Sequence, residues 1–177
     1  MQHIINCLVD NKAGVLASIA GLFSSRNFNI ESLAVGETDD PRYSRMTIAA
    51  RGDDAVVEQI EKQLNRLVHV IKVTDVTAVG HVERDLMLIK VNCQPAQRAE
   101  IWTTVQMFKG TIVDISTRDL TIELCGPEQK VTAFIQNMRP YGIRELVRSG
   151  RIAMVRTSET ETEPERRKAA GRRKMPV

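Results

Sequence analysis

The sequence predicts an α+β fold made of two βαββαβ units, one over residues 1–78 and the other over residues 79–157. Two observations lead to this prediction. Hydrophobic residues switch between the two-residue period of strands and the 3.6-residue period of amphipathic helices. The inferred elements also occur twice in the same order, which is the order of a ferredoxin-like unit. Each unit should therefore place two helices on one face of a four-stranded antiparallel sheet.

The elements of the first unit follow from its apolar spacing. Strand 3–9 precedes helix 15–25, and the predicted apolar face of that helix consists of Val15, Leu16, Ile19, Leu22 and Phe23. Strands 29–37 and 43–50 flank the segment Thr38-Asp39-Asp40-Pro41, whose residue types favour a turn. Asp53 or Asp54 can cap a helix over about 54–67, and strand 70–77 completes the unit.

The second unit repeats this order with little residue similarity to the first. Strand 85–93, a helix near 96–109 and the hairpin strands 111–116 and 120–125 come first. Pro127 stands where the next helix begins, a position that proline favours. Segment 143–155 is predicted as one strand or two short strands with a bend at Ser149-Gly150. Residues 158–177 lack apolar periodicity and are predicted to form a charged, disordered tail.

Each unit also has a surface that needs a cover. A domain of about 75–80 residues buries only ~60–65% of its unfolded surface, so it is marginal alone. The helix-free face of each sheet can be covered by packing of the two units and by dimerisation. Strand 29–37 should lie at a sheet edge, where its unpaired backbone invites the equivalent strand of a second chain. We therefore expect a homodimer.

The composition excludes several classes of protein. No apolar run approaches the roughly 18 residues of a membrane span, and a strand starts too close to Met1 for a signal peptide, so a cytoplasmic protein is expected. Cys7, Cys93 and Cys125 lie far apart in apolar strand patterns, which predicts buried reduced thiols. The tail accounts for +2 of the net charge of +3, so the nearly neutral body lacks the basic face of a nucleic-acid-binding domain.

Catalytic chemistry has few candidates in this sequence. The chain contains no GxGxxG, P-loop, HExxH or GxSxG motif, and Asp114 and Glu123 are expected to point outward from their strands. RNA-recognition modules share the βαββαβ order, but they stack bases on exposed aromatic residues of the central strands. The corresponding strand here has one aromatic residue, Tyr43, at its start. A binding module is therefore favoured, with RNA binding as a minor alternative.

The loop between the first strand and the first helix is the strongest candidate site. Gly14 lets the backbone approach a guest, and the first amides of the helix that begins at Val15 can receive a carboxylate. Asn29, where the helix returns to the sheet, can both donate and accept hydrogen bonds. This combination suits a small zwitterion. A plain strand-turn-helix with an Asx turn at Asn11 accounts for the same residues, and the residues alone do not separate the two interpretations.

Over residues 2 to about 156 the chain resembles the regulatory (small) subunits of acetolactate synthase, also called acetohydroxyacid synthase. In the first half the likeness is carried by Asn11 with Gly14-Val15-Leu16, Gly21-Leu22-Phe23-Ser24, Asn29-Ile30-Glu31-Ser32-Leu33 and Ser44-Arg45-Met46-Thr47-Ile48. In the second half it is carried by Glu83-Arg84-Asp85-Leu86-Met87-Leu88-Ile89-Lys90-Val91, Phe108-Lys109-Gly110 and Arg148-Ser149-Gly150. An ACT domain alone would explain the first half but not the second.

The resemblance implies an N-terminal ACT domain that binds a branched-chain amino acid, chiefly valine, followed by a C-terminal small-subunit domain. By position, the implied effector-binding residues are Asn11, Ala13, Gly14, Val15, Leu16, Asn29 and Ile30. Ala13 departs from the family pattern, because many members carry Pro or Ser there. The sequence does not fix which branched-chain amino acid is preferred. In the expected homodimer, the 11–16 loop of one chain would face Asn29 and Ile30 of the other.

The resemblance also implies a partner and a division of labour. The partner is a separate large catalytic subunit, which holds thiamine diphosphate, Mg2+ and FAD and joins two pyruvates, or pyruvate and 2-oxobutanoate. This chain would hold no cofactor and would not be an enzyme on its own. It would activate the large subunit and make it sensitive to feedback inhibition. The alternative is a freestanding ACT-type amino-acid sensor that acts on another partner.

Overall fold

The computed structural model describes residues 2–157. The predicted disordered tail at 158–177 lies outside the described residues. The first unit consists of β1 (Gln2–Asp10), α1 (Val15–Ser25), β2 (Ile30–Glu37), β3 (Tyr43–Arg51), α2 (Asp54–Leu64) and β4 (Val70–Asp75). The second consists of β5 (His81–Asn92), α3 (Arg98–Met107), β6 (Thr111–Ile115), β7 (Asp119–Gly126), α4 (Glu128–Met138) and β8 (Ile143–Val155). Short 3-10 helices at Pro95–Gln97 and Arg139–Tyr141 precede α3 and follow α4.

Both sheets are antiparallel and contain four strands. Their orders are β2-β3-β1-β4 and β6-β7-β5-β8, so the first strand of each unit is central and the second strand lies at an edge. This is the split-βαβ arrangement, and the predicted fold class is therefore confirmed. The expected edge position of β2 is confirmed as well.

Two separate hydrophobic cores lie between the sheets and their helices. The first is formed mainly by Ile5, Cys7, Val9, Ile19, Phe23, Met46, Ile48, Ile60 and Leu64. The second is formed mainly by Met87, Ile89, Val91, Ile101, Val105, Ile122, Leu124, Phe134 and Met138. Within each core an aromatic pair packs edge to face, Phe23 with Phe28 and Phe108 with Phe134. Each unit thus has the interior of an independent domain.

The three cysteines differ in their surroundings. Cys7 and Cys93 lie in the two cores, and burial raises the pKa of the Cys7 thiol to about 12, which keeps it protonated. Cys125 is exposed, so the prediction that all three are buried was wrong for this residue. The reason is strand alternation, because Leu124 points into the core and its neighbour must face the other way.

The second unit covers the helix-free face of the first. The end of β8 contacts β2 and β3, and Ala153 packs with Ile4 and Val76 in a third, smaller apolar cluster. The helix-free face of the second sheet remains exposed, and its apolar side chains are Leu86, Leu88, Val147, Ile152 and Met154. Packing of the two units therefore accounts for one of the two faces that needed a cover.

Two local expectations differ from the structure. Strand β5 begins at His81, four residues before the predicted start at Asp85, because the charged residues that interrupt the apolar pattern are ion-paired with arginines of β8. Leu16, predicted on the apolar face of α1, is 45% exposed beside the loop. Among residues 2–157, no helix is long and apolar enough to cross a bilayer.

Candidate functional site

The loop from β1 to α1 places the uncapped N-terminus of helix α1 at the surface of the protein. Gly14 is the residue at the N-terminal boundary of α1 and adopts φ 87° and ψ −14°. This left-handed conformation favours glycine. Its carbonyl accepts the first helical hydrogen bond, from the Ser18 amide at 2.9 Å. Within the described residues no side chain caps this start, so the amides of Leu16 and Ala17 keep their hydrogen-bonding capacity and the positive end of the helix dipole.

The N-terminus of α1 is also sterically accessible. A Cβ atom placed on Gly14 would meet nothing within 4 Å, counting atoms of residues 2–157. Val15 is buried in the first core and anchors the turn, whereas Ala13 and Leu16 are exposed on either side. The arrangement therefore offers backbone donors next to an accessible apolar side chain. A small anion with an apolar group fits these two features.

Asn11 is held by the β2–β3 hairpin. Its Nδ2 donates to Glu37 Oε1 at 2.9 Å and to the carbonyl oxygen of Pro41 at 3.0 Å. Its backbone amide donates to the carbonyl of Arg42 at 2.7 Å. Because both N–H groups of the carboxamide are engaged, the group that Asn11 can still offer to a guest is its carbonyl oxygen, an acceptor suited to an ammonium group.

The hairpin that holds Asn11 is stiffened by an ion pair. Arg42 Nε donates to both carboxylate oxygens of Asp40, at 2.9 and 3.0 Å. The hydrogen bonds from Arg42 lower the pKa of Asp40 to about 2, so this carboxylate is charged at neutral pH. On the other side of the loop, hydrogen bonds from His69 and Lys12 lower the pKa of Asp10. The loop is thus fixed by polar contacts on both flanks.

Asn29 and Ile30 lie at the other end of β2. Asn29 is exposed and Ile30 is half-buried, and both line a shallow depression with Phe23, Asn27 and Phe28. Glu37, next to Asn11, is seven positions further along the strand, a separation of about 23 Å at the rise of a β-strand. The structure therefore brings Asn11, Ala13, Gly14, Val15 and Leu16 together but places Asn29 and Ile30 apart from them in the same chain.

The equivalent helix start in the second unit is closed. Gln94 and Gln97 form a capping box at Pro95–Gln97: each side chain accepts a hydrogen bond from the other residue's backbone amide. The amides of Gln94 and Gln97 are therefore occupied in the turn that leads into α3. The loop before α1 differs from this turn, because no side chain accepts from the first amides of that helix.

Sequence reasoning missed the residues that position the loop. Glu37 and Pro41 fix Asn11, yet neither was singled out, because their role depends on the register of the β2–β3 hairpin. Register is set by pairing across strands and is not visible in one strand's pattern. Among residues 2–157 there is also no group of three or more His, Cys, Asp or Glu side chains placed to hold a metal ion.

Comparison with known proteins gives a consistent family likeness over both units. A family model described as an AHAS small subunit-like ACT domain matches residues 5–72. A second model, described as the small subunit of acetolactate synthase, matches residues 84–157. The two matches correspond to the two structural units.

Individual relatives agree with these matches. The probable acetolactate synthase small subunit of Archaeoglobus fulgidus is 54% identical over 88% of this chain and 98% of its own length. The acetolactate synthase small subunit of Aquifex aeolicus is 47% identical over 92% of this chain and 85% of its own length. The crystal structure of the small subunit from Thermotoga maritima superposes with a TM-score of 0.81 at 42% identity, covering 88% of this chain and 98% of that one.

Proposed function

This chain belongs to the family of acetolactate synthase small subunits. From that membership we propose that it is a non-catalytic regulatory subunit that makes its large catalytic subunit sensitive to inhibition by valine. In this proposal it binds a large catalytic subunit, raises that subunit's activity and lowers it again when a branched-chain amino acid is bound. The large subunit would hold the thiamine diphosphate, Mg2+ and FAD of the reaction. The observation that carries the proposal is the open start of α1 at Gly14.

The proposed effector site follows from the chemistry of valine. Its carboxylate would accept hydrogen bonds from the amides of Leu16 and Ala17, which have no acceptor inside the helix. The Val15 amide beside them donates to the carbonyl oxygen of Lys12 at 3.4 Å. The ammonium group of valine would meet the carbonyl oxygen of Asn11, the acceptor left by that side chain's bonds to the hairpin. An open site without an anionic cap supports an amino-acid ligand over a purely structural turn.

The other half of the site would come from a second chain. Edge strand β2 can pair antiparallel with its own copy about a two-fold axis. Antiparallel pairing places the Glu37 end of one strand beside the Ile30 end of the other. Asn29 of the second chain could then orient the polar end of valine, and Ile30 could contact its isopropyl group. The separation of the two residue groups within one chain supports this shared site.

Activity without and with the large subunit tests the proposed role. The purified chain alone should form no acetolactate from pyruvate, because catalysis would reside in the partner. Added to the large subunit, it should raise kcat several-fold, and valine should then inhibit. Acetolactate formation by this chain alone would contradict the proposal. Failure to bind or activate the large subunit would instead favour a freestanding amino-acid sensor.

Dimerisation through β2 can be tested by placing a charge on one edge. Val35 on β2 is 46% exposed, and Ile71 on the opposite edge strand β4 is 49% exposed, so each can be replaced by lysine with a similar change in burial. Val35→Lys should shift the protein toward monomer in analytical ultracentrifugation, since lysine on an edge strand opposes pairing. Ile71→Lys should leave the dimer intact. A wild-type monomer at micromolar concentration, with or without valine, would exclude the shared site.

A further inference from the structure

Strand β8 is part of the second sheet and also contacts the first unit. Along its whole length it pairs with β5 of the second sheet, and its final residues also lie on the helix-free face of the first sheet. There it contacts β2 and β3, while Ala153 packs against Ile4 and Val76. Any movement between the units must therefore displace this strand relative to one sheet or the other.

A bulge bends β8 at Ser149 and Gly150, just before the part of the strand that lies on the first sheet. Arg148 pairs with Met87 and Arg151 pairs with Asp85, so Ser149 and Gly150 together face the single residue between them on β5. Gly150 has φ 82°, in the left-handed region. A glycine-containing bulge increases local twist and bends its strand. The Leu86 amide donates to Ser149 Oγ at 3.1 Å and fixes the bulge to β5.

The bulge touches the strand that would form the effector site. A Cβ atom on Gly150 would lie 3.4 Å from the carbonyl oxygen of Leu33 and 3.5 Å from Ser32 Cβ. Both residues are in the middle of β2, between Ile30 and Glu37. The backbone of β8 thus packs directly on the edge strand whose two ends would contribute to effector binding.

A buried hydrogen-bond chain links β8 to the strand that leads into the loop. Asn6 Nδ2 donates to the carbonyl oxygen of Ala153 at 3.0 Å, and Asn6 Oδ1 accepts from Thr47 Oγ1 at 3.0 Å. Asn6 and Thr47 are both buried. Asn6 lies on β1, five positions before Asn11, so one strand connects this chain of bonds to the proposed effector loop.

On the other side, β8 is tied to the second unit's helices by a buried arginine. Arg151 is only 5% exposed. Its Nη1 lies 2.8 Å from Glu128 Oε2 and 3.2 Å from Gln2 Oε1. Glu128 is the first residue of α4 and Gln2 is the first residue of β1, so this one guanidinium group joins α4 of the second unit to the first unit.

We infer that residues 148–155 are the coupling segment of the subunit: they carry the difference between effector-bound and effector-free states from the first unit to the second. This inference rests on the proposed function. A ligand shifts an equilibrium only through its differential affinity for two states, and β8 contacts both α4 and the middle of β2, the strand whose two ends would form the proposed site. Its residues position the units and do not touch the effector.

Gly150→Ala tests the inference at the bulge. The added methyl group meets Leu33 at 3.4 Å in a backbone conformation that alanine disfavours, so β8 should lose its fit on β2. Calorimetry should find the valine Kd within about threefold of wild type, and activation of the large subunit should persist. Maximal inhibition by valine should be largely lost, because bound valine would no longer change the state of the second unit.

Gly142→Ala is the matched control, because Gly142 has φ 88° and a Cβ there would lie 2.6 Å from Asn92 Nδ2, inside the second unit. This substitution places strain in the second unit at a position that does not contact the first sheet. It should therefore leave inhibition by valine at the wild-type level. Asn6→Leu combined with Thr47→Val provides a second route, since it removes the link to Ala153 at nearly constant volume. It should weaken inhibition without weakening binding, and it covers the case in which Gly150→Ala fails to fold.

The outcomes separate this inference from the proposed function. Undiminished inhibition in the folded variants of both routes would overturn the coupling role of β8. Equal loss of inhibition in Gly142→Ala would also overturn it, since this result indicates general destabilisation. Loss of valine binding together with inhibition would do the same, since it indicates that β8 is part of the effector site. If wild type itself neither binds valine nor is inhibited by it, the proposed function fails first, and the inference falls with it.

Discussion

Gly14→Asp should abolish valine inhibition of the holoenzyme while leaving its activation by the small subunit intact. The substitution adds a carboxylate where the carboxylate of valine would meet the amides of α1. Hydrogen bonds to a charged group contribute about 1.5–3 kcal/mol, and like-charge repulsion adds to their loss. A total near 3 kcal/mol corresponds to an inhibition constant raised by about 100-fold or more.

Gly14→Asn separates the added charge from the added side chain. Asparagine matches aspartate in size and tolerates the left-handed backbone of Gly14 better than most residues. We expect the asparagine variant to keep a weakened but measurable response to valine. Activity should be measured against valine concentration for the three proteins with the same large subunit. Unchanged inhibition in Gly14→Asp would remove the loop from the site, and lost activation would show that the loop also contacts the large subunit.

Arg148→Met should destabilise the second unit by about 1–3 kcal/mol, the cost of leaving a buried acceptor without its partner, although Arg148 itself is exposed. Arg148 Nε donates to Asp85 Oδ2 at 2.6 Å. Asp85 is only 1% exposed, and its Oδ1 has no hydrogen-bond partner within the described part of the chain. Removing the guanidinium group therefore leaves a buried carboxylate without its counter-charge.

Lys62→Met is the control for this comparison. Lys62 pairs with Glu58 at 2.6 Å on the solvent side of α2, with both side chains about 65% exposed. Such an exposed pair contributes little to stability, because solvent screens both charges. Urea unfolding followed by circular dichroism, with Trp102 fluorescence as the probe of the second unit, measures both variants. Equal stability losses would show that the Arg148 pair is worth no more than a surface pair.

Much of the fold was predictable from single elements. Helix α1 has the predicted bounds, 15–25. Its apolar spacing indicates the buried face, and the glycine before it indicates where the helix begins. The edge position of β2 followed from the element order alone. Segment 143–155, predicted as one strand or two, is a single strand with a bulge at the expected bend.

Packing of the two units was expected, but the residues that form the contact could not be predicted, for a physical reason. Asn6 and Thr47 occupy alternate polar positions of their strands, which is the pattern of a solvent-facing side. They are buried because the carbonyl of Ala153, about 150 residues away in sequence, satisfies Asn6. No local pattern contains that information. Likewise, the loop residues were proposed as a candidate site from the sequence, but the hydrogen bonds that join Asn11 to the hairpin depend on strand register.

A single effector site per chain would limit how sharply this subunit can respond. If the start of α1 is that site, a titration should saturate at one molecule per chain. A dimer then counts two molecules, so its Hill coefficient cannot exceed about two. The second unit therefore repeats the fold of the first without adding an effector site. A Hill coefficient above about two would have to come from the assembly of more chains.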